Sequence, residues 1–396
     1  MTACSQLSST LTVDFVYVAS AKAAGADNYG EVDVFEINSE SGRMRQIPTS
    51  PFLSGGRNPV AEAVSPDNAN LYVVNQDDNS IVQFAIGSDG KLYPQSTLNT
   101  PGVFPLSVSV AKGNLFVADT YQPLPSCSPA APCAGSIAVF PILGSSGSTP
   151  AGQLGAAVNN GTTYCSGGSS SATYTAGSYW PLLNGCTGDV VAPTGVNALS
   201  TGANAYVSAY DSTNNHGYIF GFSVGSDGTV AQTGSPLDLG AGIHPSSVTS
   251  DPTGSFLYVT DSANAQVFGF AVISGNLTAL AGSPYKTGNQ PLSIAIDGAG
   301  KFAMIAESQD STVSTYSINS GVLSRAASAA TGLQPVAVGI DPRLNKYVFT
   351  ANFLGNNVSG FALNTDGSLL NTQFSPFGAN ANPTAVAAIP HNGSTQ

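Results

Sequence analysis

The chain reads as an all-β, seven-bladed β-propeller of four-stranded antiparallel blades, and three repeating features say so. A proline opens a short strand of small and β-branched residues seven times, at Pro59, Pro105, Pro193, Pro245, Pro291, Pro335 and Pro383. A second strand with an apolar or aromatic pair follows, as in Tyr72-Val-Val-Asn75, Tyr258-Val-Thr-Asp261 and Tyr347-Val-Phe-Thr350. Then comes an alternating strand with an aromatic residue at a fixed place: Phe35, Phe84, Phe140, Phe222, Phe270, Tyr316 and Phe361. Alternation with period two marks a strand with one buried face, and self-similarity at this spacing marks a repeat architecture.

The turn after the third strand supplies the fourth. Asp89-Gly90, Asp227-Gly228 and Asp366-Gly367 recur there, with Ser-Gly pairs in other copies. Glycine tolerates the positive φ of a tight hairpin, so the chain must return antiparallel. The phase of the ends closes the ring. The first recognisable strand, Phe15-Val-Tyr-Val-Ala19, is a second strand, whereas Pro383 to Ile389 is a first strand. One blade therefore combines both termini, which removes an exposed sheet edge. The expected organisation is a flexible segment over 1–12, one propeller over 13–390 and a tail over 391–396.

One interval is irregular: Pro105 to Pro193 is 88 residues, against 46 from Pro59 to Pro105. The excess maps to an insertion within about 121–190, since repeat proteins take insertions in loops. It holds Trp180, Tyr164, Tyr174, Tyr179 and four of the five cysteines. The simplest pairing joins Cys127 to Cys133 and Cys165 to Cys186, although four cysteines allow three arrangements. The expectation is a stapled aromatic flap with Trp180 as a ligand contact, or else a loop merely stiffened by disulfides. Disulfides imply an oxidising compartment, so a periplasmic, cell-surface or secreted location is expected. Cys4 follows Thr2-Ala3, which resembles the end of a bacterial lipoprotein signal; the alternative is a free cysteine in a frayed terminus.

Composition excludes several functions. Charged residues are 9% of the chain and the net charge is −12, so 11 Lys and Arg cannot neutralise many phosphates and nucleic acid is not a partner. No apolar run is long enough to span a membrane. The expected state is a monomer with a small-molecule or carbohydrate ligand. There is no Gly-x-Ser-x-Gly elbow, zinc motif or phosphate loop, so no cofactor or metal is expected.

In a propeller, first-strand starts and second-strand ends open on one face around the channel, the default pocket. Asn75, Asp119, Asp211, His244, Asp261, Glu307 and Asn352 converge there. Glu62 is anomalous, because the other six copies carry Val108, Val196, Val248, Ile294, Val338 and Val386 at its place. A buried carboxylate must be paired or protonated, and Arg57 is the expected partner. His216, in an Asn-rich stretch, reads as solvent-exposed.

Tyr72-Val-Val-Asn75 and Tyr258-Val-Thr-Asp261 resemble the repeats of the YVTN and lactonase-type propeller family, which includes bacterial phosphogluconolactonases and fungal muconate-cyclising enzymes. The resemblance covers nearly the whole chain outside the insertion. In the bacterial lactonases one blade reads His-Pro-His, then Asp; the next reads Pro-Arg-His, then Asn-Glu. Here stand His244-Pro245-Ser246 with Asp261, then Pro291-Leu292-Ser293 with Ala306-Glu307. The resemblance thus implies a lactonase-like hydrolase using His244, Asp261 and Glu307. Glu307 or His244 would activate water, with Asp261 orienting the histidine or the water. The missing Arg and second His put phosphogluconate chemistry in doubt, which leaves a neutral lactone or ester. The alternative is a non-catalytic binding or scaffolding propeller, with Asn75, Asp119, Asp211, Asn352 and Trp180 as ligand contacts.

Overall fold

A computed structural model describes residues 12–22, 29–38, 40–146, 151–167, 170–175, 177–185, 189–342 and 345–390. Among the described residues its strands form seven antiparallel blade sheets, six of them running outward in chain order from an inner strand, and a separate two-stranded hairpin. Blade 1 comprises Pro59–Val64, Asn70–Asn75, Ser80–Ile86 and Leu92–Asn99. Blades 2 to 6 begin at the inner strands Val103–Ala111, Val191–Ala198, Pro245–Ser250, Pro291–Ile296 and Pro335–Ile340. Blade 7 is composite: Pro383–Pro390 is its inner strand and pairs with Thr12–Ser20, which pairs with Tyr29–Asn38. Successive inner strands touch one another all the way round, with Pro383–Pro390 against both Pro335–Ile340 and Pro59–Val64.

The core lies between blades. Each second strand is buried on both faces, as a strand sandwiched between neighbouring sheets must be. The seven third-strand aromatics are all buried, none more than 4% exposed. Second-strand tyrosines add a directional contact. The hydroxyls of Tyr72, Tyr206 and Tyr258 donate to the carbonyls of Gly152, Gly275 and Gly321, each in the turn beyond the third strand of the next blade.

Every inner strand carries a β-bulge at the same place. The register skips the residue after the opening proline: Val60, Leu106, Thr194, Ser246, Leu292, Val336 and Thr384. The residue before that proline is strained in most blades. Asn58, Phe104, Gln290, Gln334 and Asn382 have φ between 53° and 60°. This left-handed region suits Gly and Asn but disfavours Phe and Gln by roughly 1 kcal/mol.

The insertion corrects two expectations. It contains a β-hairpin, Thr162–Gly167 with Ser170–Thr175, that sequence reasoning took for a loop. Trp180 is not part of a flap. With Pro181 it is the outermost strand of blade 2, paired with Ile137 and packed on the core between blades 2 and 3. Cys127 and Cys133 are disulfide-bonded, with Cα atoms 5.4 Å apart, in the loop between the second and third strands of blade 2. Cys4 and Cys186 lie outside the described residues, as does the side chain of Cys165, and so does the expected second pairing.

Candidate functional site at the channel mouth

The polar residues at the second-strand ends do converge on one face, and all are fully buried. Their oxygens and amides hold the backbone that crosses from one blade into the next inner strand. Asp261 Oδ1 accepts from the backbone N–H of His244 at 3.0 Å, and its carboxylate also takes Ala263, Asn264 and Gln266. Glu307 accepts from Gly288 N–H and from the hydroxyls of Thr312 and Ser314, each at 2.7 Å, with Arg325 at 3.7 Å. Asp119 accepts from Gly102 N–H, and Asn75 donates to Ser54 carbonyl. Asn352 bonds Asn357 and Ser359, and Ser359 in turn accepts from Gly332 N–H. Asp211 instead holds its own loop through Thr213 and Asn214. Packing is tight: a Cβ on Gly56, Gly102, Gly288 or Gly332 would lie within 3 Å of Asn75, Asp119, Glu307 or Asn352 side chains.

These groups therefore sit one layer behind the mouth, and all but Asp211 position the short segment that ends in the residue before the inner-strand proline. His244 is the one member of the expected set at the rim itself. Its ring lies 4.2 Å from the ring of Tyr210, and its Nε2 is 3.3 Å from Asn215 Oδ1. The same Oδ1 accepts from the Tyr210 hydroxyl at 2.9 Å. In the neutral ring whose Nε2–H donates to that oxygen, Nδ1 is the acceptor. Nδ1 has no hydrogen-bond partner among the described residues.

Burial leaves its mark on the carboxyls of this layer. Asp119, with Oδ1 unpartnered, is pushed up to about 7 by desolvation, against the pull of Thr100 and Gly102. Desolvation raises Asp33 of blade 7 to about 6; it accepts from Asn380 N–H just before Asn382. Asp33 was missed in the sequence, because it lies on a third strand rather than at a second-strand end.

Two further expectations are corrected. Arg57 does not pair with Glu62; its guanidinium meets Asp78 at the rim. Both Glu62 oxygens are buried with no side-chain partner, and only the backbone amides of Ala387 and Ala19 offset their burial. His216 is not in a loop but opens the third strand of blade 3, half-buried, with Nδ1 3.0 Å from Asp238. The residues missed were Tyr210, Asn215, Gln290 and Gln334, and the signal for the glutamines was their place before a proline that begins a repeat. Among the described residues, no group of His, Cys, Asp and Glu is placed to hold a metal ion.

The family model "Lactonase, 7-bladed beta-propeller" matches residues 26–126 and 204–336, more than half of the chain. The chain belongs to the seven-bladed lactonase family. The second matched segment contains His244, Asp261 and Glu307, while the insertion falls between the two. No curated protein matches by sequence. Solved structures with this lactonase propeller fold include a candidate 6-phosphogluconolactonase of Bacteroides fragilis, at 19% identity and TM-score 0.69, covering 96% of this chain and 99% of that one. A second candidate 6-phosphogluconolactonase, from Bacteroides uniformis, has 18% identity and TM-score 0.70, with 96% and 100% covered. The periplasmic gluconolactonase of Pseudomonas aeruginosa has 17% identity and TM-score 0.69, with 96% and 99% covered.

Proposed function

We propose that this lactonase-family propeller is an exported hydrolase of a neutral lactone, with His244 as general base at the channel mouth. The observation that carries the reading is the setting of His244 at the rim: its ring lies against that of Tyr210, Nε2 is 3.3 Å from Asn215 Oδ1, and Nδ1 has no partner among the described residues. Nδ1 takes a proton from water as the oxygen attacks the lactone carbonyl. The ring C–O bond then breaks, and the imidazolium returns the proton to the departing alkoxide. Asp261 is a positioning residue that fixes His244 through its backbone N–H, and Glu307 does the same for the next crossover through Gly288.

A neutral substrate fits the rim. Arg57 is engaged by Asp78, and Asp77 and Asp310 lie on the same face, which disfavours a phosphorylated ligand. Export is supported by the Cys127–Cys133 disulfide, which persists in oxidising compartments. The test is hydrolysis of glucono-1,5-lactone beside its 6-phosphate. Turnover of the neutral lactone, reduced by about 100-fold or more in His244→Gln, is expected. Turnover unaffected by that substitution, or confined to the phosphate, overturns the reading. Binding without turnover would favour the alternative of a binding propeller.

A further inference from the structure

We infer that Gln290 and Gln334 are specificity-determining residues that read the hydroxyl groups of a sugar-like ring at the mouth. The inference rests on the functional reading above for its location and adds the groups that select the ligand.

Both residues stand immediately before an inner-strand proline, on adjacent blades 5 and 6, with φ of 53° and 58°. Glycine adopts that conformation without strain and asparagine with little, yet here a long amide side chain is kept at each place. Strained backbone of this kind persists where its surroundings over-determine it, and they do so here. Gly288 N–H donates to Glu307, Asn289 N–H and Nδ2 to Asp310, and Ser308 N–H to the Gln290 carbonyl. At Gln334 the N–H meets Ser311 Oγ and the carbonyl accepts from Phe353 N–H. The backbone around both residues is thus held by hydrogen bonds.

The side chains are not. Gln290 is exposed and Gln334 half-buried, and neither amide has a hydrogen-bond partner among the described residues. The two asparagines at equivalent places differ. Asn58 is engaged with Gln76 and Asp77, and Asn382 with Phe353 carbonyl. Two fixed backbones on adjacent blades thus each carry an uncommitted amide, both donor and acceptor, the chemistry that recognises neutral hydroxyls. On blades 2 to 4 the same rim is aromatic: Phe104 lies edge-on to Tyr121 at 6.2 Å, and the Tyr210 ring lies tilted against that of His244 at 4.2 Å. An apolar ring face would meet the aromatics while its hydroxyls meet the amides.

The test uses two inert six-membered rings, so that binding is read apart from hydrolysis: 1,5-anhydroglucitol, which carries hydroxyls, and tetrahydropyran, which carries none. Titration followed by NMR should show the wild-type protein preferring 1,5-anhydroglucitol, and the double variant Gln290→Gly, Gln334→Gly losing at least about tenfold of that preference. Its Tm should be unchanged or higher, since glycine relieves the left-handed backbone. A double variant that folds and keeps the wild-type preference overturns the inference, as does a wild-type protein that does not bind 1,5-anhydroglucitol. Glutamine-dependent binding in a protein that hydrolyses no lactone would sink the hydrolase reading alone. Lactone turnover with binding indifferent to the two glutamines would sink this one alone.

Discussion

The Tyr17 hydroxyl donates to the Gly90 carbonyl at 3.1 Å, from the composite blade to blade 1, the same tie that Tyr72, Tyr206 and Tyr258 make at three other interfaces. Buried hydrogen bonds contribute about 1 kcal/mol net, and a carbonyl left unpaired costs more. Tyr17→Phe is therefore expected to lower stability by about 1–2 kcal/mol, and Tyr258→Phe, which frees Gly321, by a similar amount. Urea denaturation measures it. An unchanged midpoint for both would mean that the tyrosines serve packing alone.

That contact also shows what the sequence could and could not disclose. The tyrosine of the second strand, the third-strand aromatic and the proline period are visible because packing between blades imposes the same residue types in each copy. The clasp is visible because the two ends of the chain are out of phase. The site was legible only in part. Asp261 and Glu307 stand out as acids at strand ends, but their buried, saturated environment, which makes them anchors of the crossovers, is a property of contacts between segments 17–19 residues apart. Gln290 and Gln334 look ordinary in sequence; only their backbone conformation and free amides set them apart. Glu62 was visible as an exception to a valine column, while its lack of a side-chain partner required the positions of Arg57 and Asp78.

Glu62 makes stability depend on pH. Burial pushes its carboxyl up to about 8, with the nearby amides of Ala387 and Ala19 offsetting part of the effect, whereas an ordinary glutamate sits at 4.5. A raised acid pKa means that the fold retains a proton that the unfolded chain releases. This group's contribution is thus most favourable below pH 4.5 and is lost progressively as pH rises to about 8, a change on the order of a few kcal/mol. Glu62→Gln should flatten that slope, and Glu62→Val, the solution used in five other blades, should raise Tm most at pH 8. Identical pH profiles for wild type and Glu62→Gln would show the carboxyl to be solvated.

Deleting residues from Pro383 onward removes the inner strand of the composite blade. Thr12–Ser20 then loses its ladder partner, and the inner strands on either side lose their neighbour. Such a truncation should fail to give a cooperative thermal transition. A sharp transition at the wild-type temperature would refute the closure described above.

Tyr210→Phe removes the hydroxyl that meets Asn215 Oδ1 while keeping the ring against His244. The Asn215 oxygen facing the imidazole is then less firmly set, so kcat for the neutral lactone should fall about tenfold or less with KM little changed. A rise in KM at constant kcat would instead place the tyrosine against the substrate.

The bulged residue that follows each opening proline stands outside the hydrogen-bond ladder of its blade. A change there breaks no strand pairing, and the place recurs at Val60, Leu106, Thr194, Ser246, Leu292, Val336 and Thr384, of which Ser246 and Thr384 also tie the next inner strand through the carbonyls of Pro291 and Pro59. The mouth is thus a ring of seven interchangeable sockets on an invariant frame. A propeller of this kind can acquire a new ligand by refitting one blade at a time, without renegotiating its fold.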